Sequence, residues 1–197
     1  MRSEYFNLTD YGRVLARMTP ENALAVRVSL ETGLRIGDVL KIKVNDIHKR
    51  TLYYVAEKTG KAGKKVLSPE LVKALRREGG SGGYVFKSPV NPLKHRTRQA
   101  VWQNLKRAAA ECGITSNLTP HSARKTYAVE EYHEHGINAA AAELQHSNIQ
   151  TTLLYALSDT AYAPDAVDTA FGLSAAQLAK VVYSACMRAL EDYHANR

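Results

Sequence analysis

VNDIHKRTLYYVAEKTGKAGKKVL, residues 44–67, is where the helical rhythm of this chain gives way to another one. Val44 to Ile47, Thr51 to Ala56 and Lys65 to Leu67 form short runs with β-branched and aromatic residues. The Lys49-Arg50 pair and a Lys/Gly-rich turn at 58–64 separate them. Such residues suit a pleated surface, and such breaks suit hairpin turns. The stretch predicts a small three-stranded antiparallel sheet. The flanking segments read as helix or loop, so the expected fold class is α+β, mostly helical, with this one sheet.

Upstream, apolar positions from Ala23 to Leu30 recur at helical spacing after Pro20 and Glu21, and Gly33 supplies a stop. A short second helix is expected from Ile36 to Lys41. Downstream, Pro69 opens a helix to about Arg77, and Gly79 to Gly83 reads as a flexible loop. Residues 84–95 look irregular, and a helix is expected from Thr97 to Glu111. Thr119 is a good N-cap with Pro120 at the first helical position, and Gly136 follows the last turn. Asn138 suits the cap of an alanine-rich helix ending near Gln145. Ser147 with Gln150 makes a capping box for a further helix through Tyr155. Residues 158–172 read as a linker. A second capping box, Ser174 with Gln177, starts an amphipathic helix carrying Leu178, Val181, Val182, Ala185, Ala189 and Leu190.

The 197 residues suffice for one domain with a tail and a real core. No apolar run approaches the roughly 18–20 residues of a membrane-spanning helix, so no membrane partner is expected. No secretory signal is visible from Met1 to Tyr11. Cys112 and Cys186 are too few to imply a disulfide framework, and a reduced, cytoplasmic protein is the expectation. Lys plus Arg number 27 against 19 Asp plus Glu, a formal charge of +8, which favours a polyanionic partner.

Four stretches offer chemistry. His121 and Arg124, three residues apart at a helix start, share a face where free backbone N–H groups already favour an anion. The same pattern alone also fits a solvated basic helix start. Arg35 follows a helix-terminating glycine, and its guanidinium offers two parallel donors to phosphate oxygens. Asp38, three residues on, suits an orienting partner for it. Lys58 sits at a hairpin tip among Lys61, Lys64 and Lys65. On one continuous helix, His146 and Tyr155 would lie about 180° apart. The Ser147–Gln150 box breaks that helix and lets both converge. No His, Cys or carboxylate set has metal-ligand spacing, and no cofactor is expected.

Taken together, these residues resemble the catalytic domain of the tyrosine recombinases, also called the phage integrase family. Thr32-Gly33-Leu34-Arg35-Ile36-Gly37-Asp38-Val39-Leu40 resembles the family's first arginine box, and Lys58-Thr59-Gly60 its hairpin lysine segment. His121-x-x-Arg124 and the step from His146 to Tyr155 resemble its second box. The likeness runs from about residue 9 to 158, with all six positions filled in order. It implies a catalytic domain at 1–158, followed by a linker and C-terminal helix at 159–197 that suits either exchange between protomers or packing in cis to close its own core.

The resemblance also implies roles. Tyr155 attacks a scissile phosphate to form a 3′-phosphotyrosyl bond; by position alone, Tyr162 is the backup nucleophile, disfavoured because it lies beyond the helix expected to present Tyr155. Arg35 and Arg124 hold the non-bridging oxygens, and Lys58 protonates the leaving 5′-oxygen. His121 assists proton transfer at the nucleophile, and His146 hydrogen-bonds the phosphate. The implied activity is site-specific DNA recombination or integration, independent of metal and ATP, as found on mobile genetic elements. The implied partner is double-stranded DNA, held as a homotetramer, with a monomer or weak oligomer in its absence. Lys61, Lys64, Lys65, Lys87, Lys94, Arg96 and Arg98 are the expected DNA-backbone contacts. A type IB-like topoisomerase and a non-catalytic DNA-binding module are the alternatives. Two departures stand out. Gln145 replaces the family's usual glycine before the histidine, and the likeness starts near Met1 where the family carries an N-terminal DNA-clamping domain. An excised catalytic domain is the expectation.

Overall fold

A computed structural model of the chain describes residues 8–145. They lie within one compact unit and run α1 (Leu8–Leu15), α2 (Pro20–Thr32), α3 (Ile36–Leu40), β1 (Ile47–His48), β2 (Thr51–Val55), β3 (Ala62–Val66), α4 (Pro69–Gly79), α5 (Arg98–Glu111) and α6 (Pro120–Glu143). The expected helix from Ser147, the linker and the C-terminal helix lie outside the described residues.

The sheet has the expected order, β1-β2-β3, all antiparallel. Its bounds differ from the sequence reading at two places. Val44 to Asp46 is a single 3₁₀ turn rather than strand. Asp46 Oδ2 accepts the Lys43 amide at 2.7 Å, and the Val44 amide donates to Gly83 O at 3.1 Å. Those local bonds occupy donors that a ladder would need. The third strand starts earlier than expected, at Ala62, because Val55 pairs with Ala62 and Tyr54 with Gly63. Ala and Gly read as turn in the sequence, and their cross-strand partners hold them extended.

Strand alternation then sorts the side chains. Leu52 and Lys65 face inward and are buried, with half-buried Tyr54 and Gly63 in line with them. Tyr53, Val55 and Val66 face outward and are exposed.

The helices bury one continuous core. Val26 and Val28 of α2, Leu71 and Leu75 of α4, Val101 and Leu105 of α5 and Ala123 of α6 belong to it. Helix α1, which the sequence reading passed over, adds Tyr11 and Val14, both buried. Ser68 and Thr97 cap α4 and α5 by accepting the amides of Leu71 and Ala100 at 3.2 and 3.1 Å. The glycine loop is anchored as well as turned: Gly83 O holds the Val44 amide, and the Val85 amide reaches Ile42 O at 2.9 Å. Val85 and Phe86, in the stretch expected to be irregular, are fully buried. Helix α6 breaks at Gly136 (φ 79°, ψ 173°), where the sequence places the end of one helix and the start of the next.

The end of α2 is a tight joint. Gly33 has φ 67°, and a β-carbon there would overlap the Tyr127 ring (2.6 Å to Cε1) and reach Leu144 Cδ2 at 2.9 Å. Gly33→Ala is therefore expected to destabilise the chain by about 2–4 kcal/mol, from left-handed strain plus overpacking. Urea unfolding of the full chain measures this, and a loss under about 0.5 kcal/mol would contradict the packing described.

Candidate active site

The joint at Gly33 places Arg35 at the entry of α3, as its N-cap residue with extended backbone (φ −65°, ψ 141°). From there a cleft of about 410 Å³ opens, lined by Arg35, Gly37, Asp38, Glu57, Lys58, Arg98, His121 and Arg124 among others. Four of the six expected catalytic residues meet in it: Arg35, Lys58, His121 and Arg124. The other two, His146 and Tyr155, lie outside the described residues.

Arg124 is the anchored member, only 3% exposed. Its Nη2 donates to Leu144 O at 2.8 Å and its Nη1 makes a short bond to Gly33 O. The guanidinium thereby ties the end of α2 to the end of α6. Arg35 is half-buried and His121 is exposed. Partial desolvation in the cleft, followed by the charges of Arg124, Lys125 and Arg35, pushes the His121 imidazole down to about 4. At neutral pH it is uncharged, and the same causes make it a weaker base than an ordinary histidine.

The sign for stability follows from that shift. Between about pH 4 and the ordinary histidine value near 6.5, the unfolded chain binds the extra proton and the folded chain does not. This contribution to stability is full above 6.5 and is lost as pH falls through 4. The difference in unfolding free energy between wild type and His121→Gln is expected to change across that window. A difference constant from pH 7 to 4 would contradict the shift.

Asp38 does something other than expected. Its Oδ1 accepts the backbone amide of Glu57 at 2.9 Å, and among the described residues no ion pair joins it to Arg35. Helix α3 begins only at Ile36, so the three-residue spacing does not put Arg35 and Asp38 on one helical face. Asp38 holds the hairpin turn that carries Lys58. That turn is compact: the Ala56 amide donates to Lys61 O at 2.9 Å and the Gly60 amide to Ala56 O at 2.8 Å. Lys58 itself is exposed at its tip.

The expected DNA-contact residues divide. Lys61, Lys64, Lys94 and Arg98 are exposed. Arg98 also lines the cleft, a third guanidinium beside Arg35 and Arg124. Lys87 is half-buried, with Nζ on Gly79 O at 3.1 Å, and Arg96 is half-buried. Lys65 is the exception. It is 6% exposed, and its ammonium is paired with Glu143 Oε1 and also donates to Glu143 O at 3.1 Å. Burial pushes its pKa down against the opposing pull of Glu143. The sequence reading placed Lys64 and Lys65 together among the expected DNA contacts, but strand alternation sends only Lys64 outward. Lys65 is an internal strut between β3 and α6.

Sequence reasoning missed Glu57, Tyr54 and the side chain of Gln145. Glu57 borders the cleft and is paired with Lys41 Nζ at 2.9 Å, which holds its carboxyl below the usual range. Burial, then the Glu143 carboxylate, raises the Tyr54 phenol, so Tyr54 stays protonated as a hydrogen-bonding group. Its place inside the sheet follows from the strand register.

Residues 9–161 match the sequence profile of the phage integrase family. Tyrosine recombinase XerD of Listeria innocua is 28% identical, over 76% of this chain and 56% of its own length. The chain spans about half the length of the XerD relatives it matches. Among solved structures, XerA recombinase superposes with a TM-score of 0.65 at 21% identity, over 77% of this chain and 57% of that one. A lambda integrase tetramer bound to a Holliday junction superposes with a TM-score of 0.65 at 19% identity, over 79% of this chain and 48% of that one. Among the described residues, no helix is long and apolar enough to cross a membrane.

Proposed function

This chain belongs to the phage integrase family, and on that premise we propose that it is a site-specific DNA recombinase acting through a 3′-phosphotyrosyl intermediate. The observation that carries the reading is the convergence of Arg35, Lys58, His121 and Arg124 on one cleft from three separate segments, the entry of α3, the β2–β3 turn and the start of α6. Two guanidinium groups, an ammonium and a neutral imidazole are the groups that phosphoryl transfer needs when protein cations clamp the charge.

In this mechanism, the Tyr155 hydroxyl attacks the phosphorus and gives its proton toward His121. The bond from phosphorus to the 5′-oxygen breaks, and Lys58 supplies the proton that the leaving oxygen takes. Arg35 and Arg124 hold the non-bridging oxygens as negative charge grows. Groups fixed in advance lower such a barrier most. Arg124 suits this because its plane is already set by Gly33 O and Leu144 O. His146 donates a hydrogen bond to the phosphate. A 5′-hydroxyl from a second strand then attacks the phosphotyrosine and releases Tyr155. One phosphodiester is lost and one gained, so no ATP is called for, and Arg35 and Arg124 supply the charge clamp that a metal ion would otherwise provide.

Double-stranded DNA is the proposed partner, met by the exposed Lys61, Lys64, Lys94 and Arg98, with Lys65 excluded as a strut. The tetramer seen for lambda integrase is extended to this chain as its proposed assembly on DNA. The proposed compartment is the cytoplasm, and the catalytic unit is proposed to end near residue 158.

The test is covalent trapping. The full chain is mixed with a randomised pool of nicked duplexes in EDTA without ATP, and protein-linked DNA is recovered after denaturation and sequenced. The expected product is a 3′-linked adduct enriched for one sequence. Absence of any adduct under these conditions, with binding to the same DNA intact, would overturn the reading.

A further inference from the structure

We infer that Gln145 is a positioning residue for Lys58, holding one leg of the β2–β3 turn while Asp38 holds the other. The inference rests on the proposed role of Lys58 as the proton donor to the leaving oxygen.

The backbone of Gln145 has φ 51°, a left-handed conformation that costs a residue with a β-carbon some strain. The side chain makes contacts that glycine has no means to make. Its Nε2 donates to Tyr54 Oη at 3.2 Å and, at the long limit of 3.5 Å, to Ala62 O. The strand register prepares the place. Tyr54 lies opposite Gly63, and a β-carbon on residue 63 would sit 2.6 Å from the Tyr54 Oη and 2.7 Å from Gln145 Nε2. The bare glycine therefore leaves the hollow in which these two side chains meet.

What they hold follows from position along the hairpin. Val55 and Ala62 form the last pair of the ladder, and the turn between them carries Lys58. Residues 57–62 are all exposed, so no core packing fixes that turn. It is tied instead at its two legs. Glu57 is bound through its amide to Asp38 on α3, and Ala62 and Tyr54 are bound to Gln145 just past α6. The Lys65–Glu143 pair repeats the link between β3 and α6 one step deeper. Arg35 precedes α3 and His146 follows Gln145, so the turn is referenced to both boxes of the site.

The experiment uses the full chain and single-turnover cleavage of two nicked duplexes. One carries the ordinary phosphate, and the other carries a bridging sulfur at the 5′ position of the scissile link. A thiolate leaves without a proton, so the second substrate does not need Lys58 as an acid. Gln145→Ala keeps a β-carbon in the strained backbone but removes the tether, and Tyr54→Phe removes only the hydroxyl. Each is expected to slow cleavage of ordinary DNA about tenfold, a fraction of what general acid catalysis supplies. The double variant should be no slower than Gln145→Ala, because that change already removes the bond to the Tyr54 hydroxyl. All three should cleave the sulfur substrate near the wild-type rate, with DNA affinity unchanged.

Variants that match wild type on ordinary DNA, or that lose equally on both substrates, overturn the inference. Wild type that cleaves neither substrate removes the recombinase reading and this inference with it. Wild-type cleavage with indifferent variants removes this inference alone.

Discussion

Tyr155→Phe is expected to abolish the covalent protein–DNA adduct, with a fall in cleavage rate of more than about 10⁴-fold. DNA affinity should stay within about twofold of wild type, since the ring remains and no charge changes. The size of the loss follows from the chemistry. A phenol of ordinary pKa is about one part in a thousand ionised at neutral pH, so its reactivity depends on the cations and base around it. Those groups are useless without the oxygen. Peptide mapping of the wild-type adduct should return the DNA on the peptide containing Tyr155. Recovery on Tyr162 would assign the nucleophile elsewhere, and an undiminished adduct in the Phe variant would remove Tyr155 from the mechanism.

The second large effect separates the two arginines. Arg35→Ala is expected to slow cleavage about 10²- to 10³-fold, as removal of a fixed transition-state donor does. Its thermal midpoint should stay close to wild type, because among the described residues the Arg35 side chain anchors no backbone group. Arg124→Ala should show at least the same kinetic loss and also unfold more easily, by about 2–5 kcal/mol. The variant leaves Gly33 O and Leu144 O buried without their charged donors. Arg124→Lys should not rescue it, since an ammonium has no planar fork to span both carbonyls. Equal stability in the two alanine variants would contradict the anchoring described here.

Much of this arrangement was legible in the sequence. Helix boundaries marked by proline and glycine were readable because those residues act through their own backbone: Pro20, Gly33, Pro120 and Gly136 stand where their geometry requires. The sheet was readable from its β-branched and aromatic runs, and four side chains of the candidate site were readable as a constellation.

What escaped depends on partners distant in the chain. Ala62 and Gly63 have no strand preference of their own and are extended because Val55 and Tyr54 face them. Lys65 looks like its neighbour Lys64 until pairing decides which side of the sheet each occupies. Asp38 stands at helical spacing from Arg35, yet its acceptor serves an amide nineteen residues away. The substitution of glycine by Gln145 was visible, but its contacts with Tyr54 and Ala62 needed the fold to bring the end of α6 onto the hairpin.

The most direct measurement is a structure of the full chain on a cleaved duplex carrying its recognised site. The account predicts the scissile phosphorus bonded to Tyr155 Oη, inside the cleft, with Arg35 and Arg124 each within hydrogen-bonding distance of its non-bridging oxygens. A phosphate seated outside that cleft, or joined to another residue while Arg35 and Arg124 face away from it, would contradict the account.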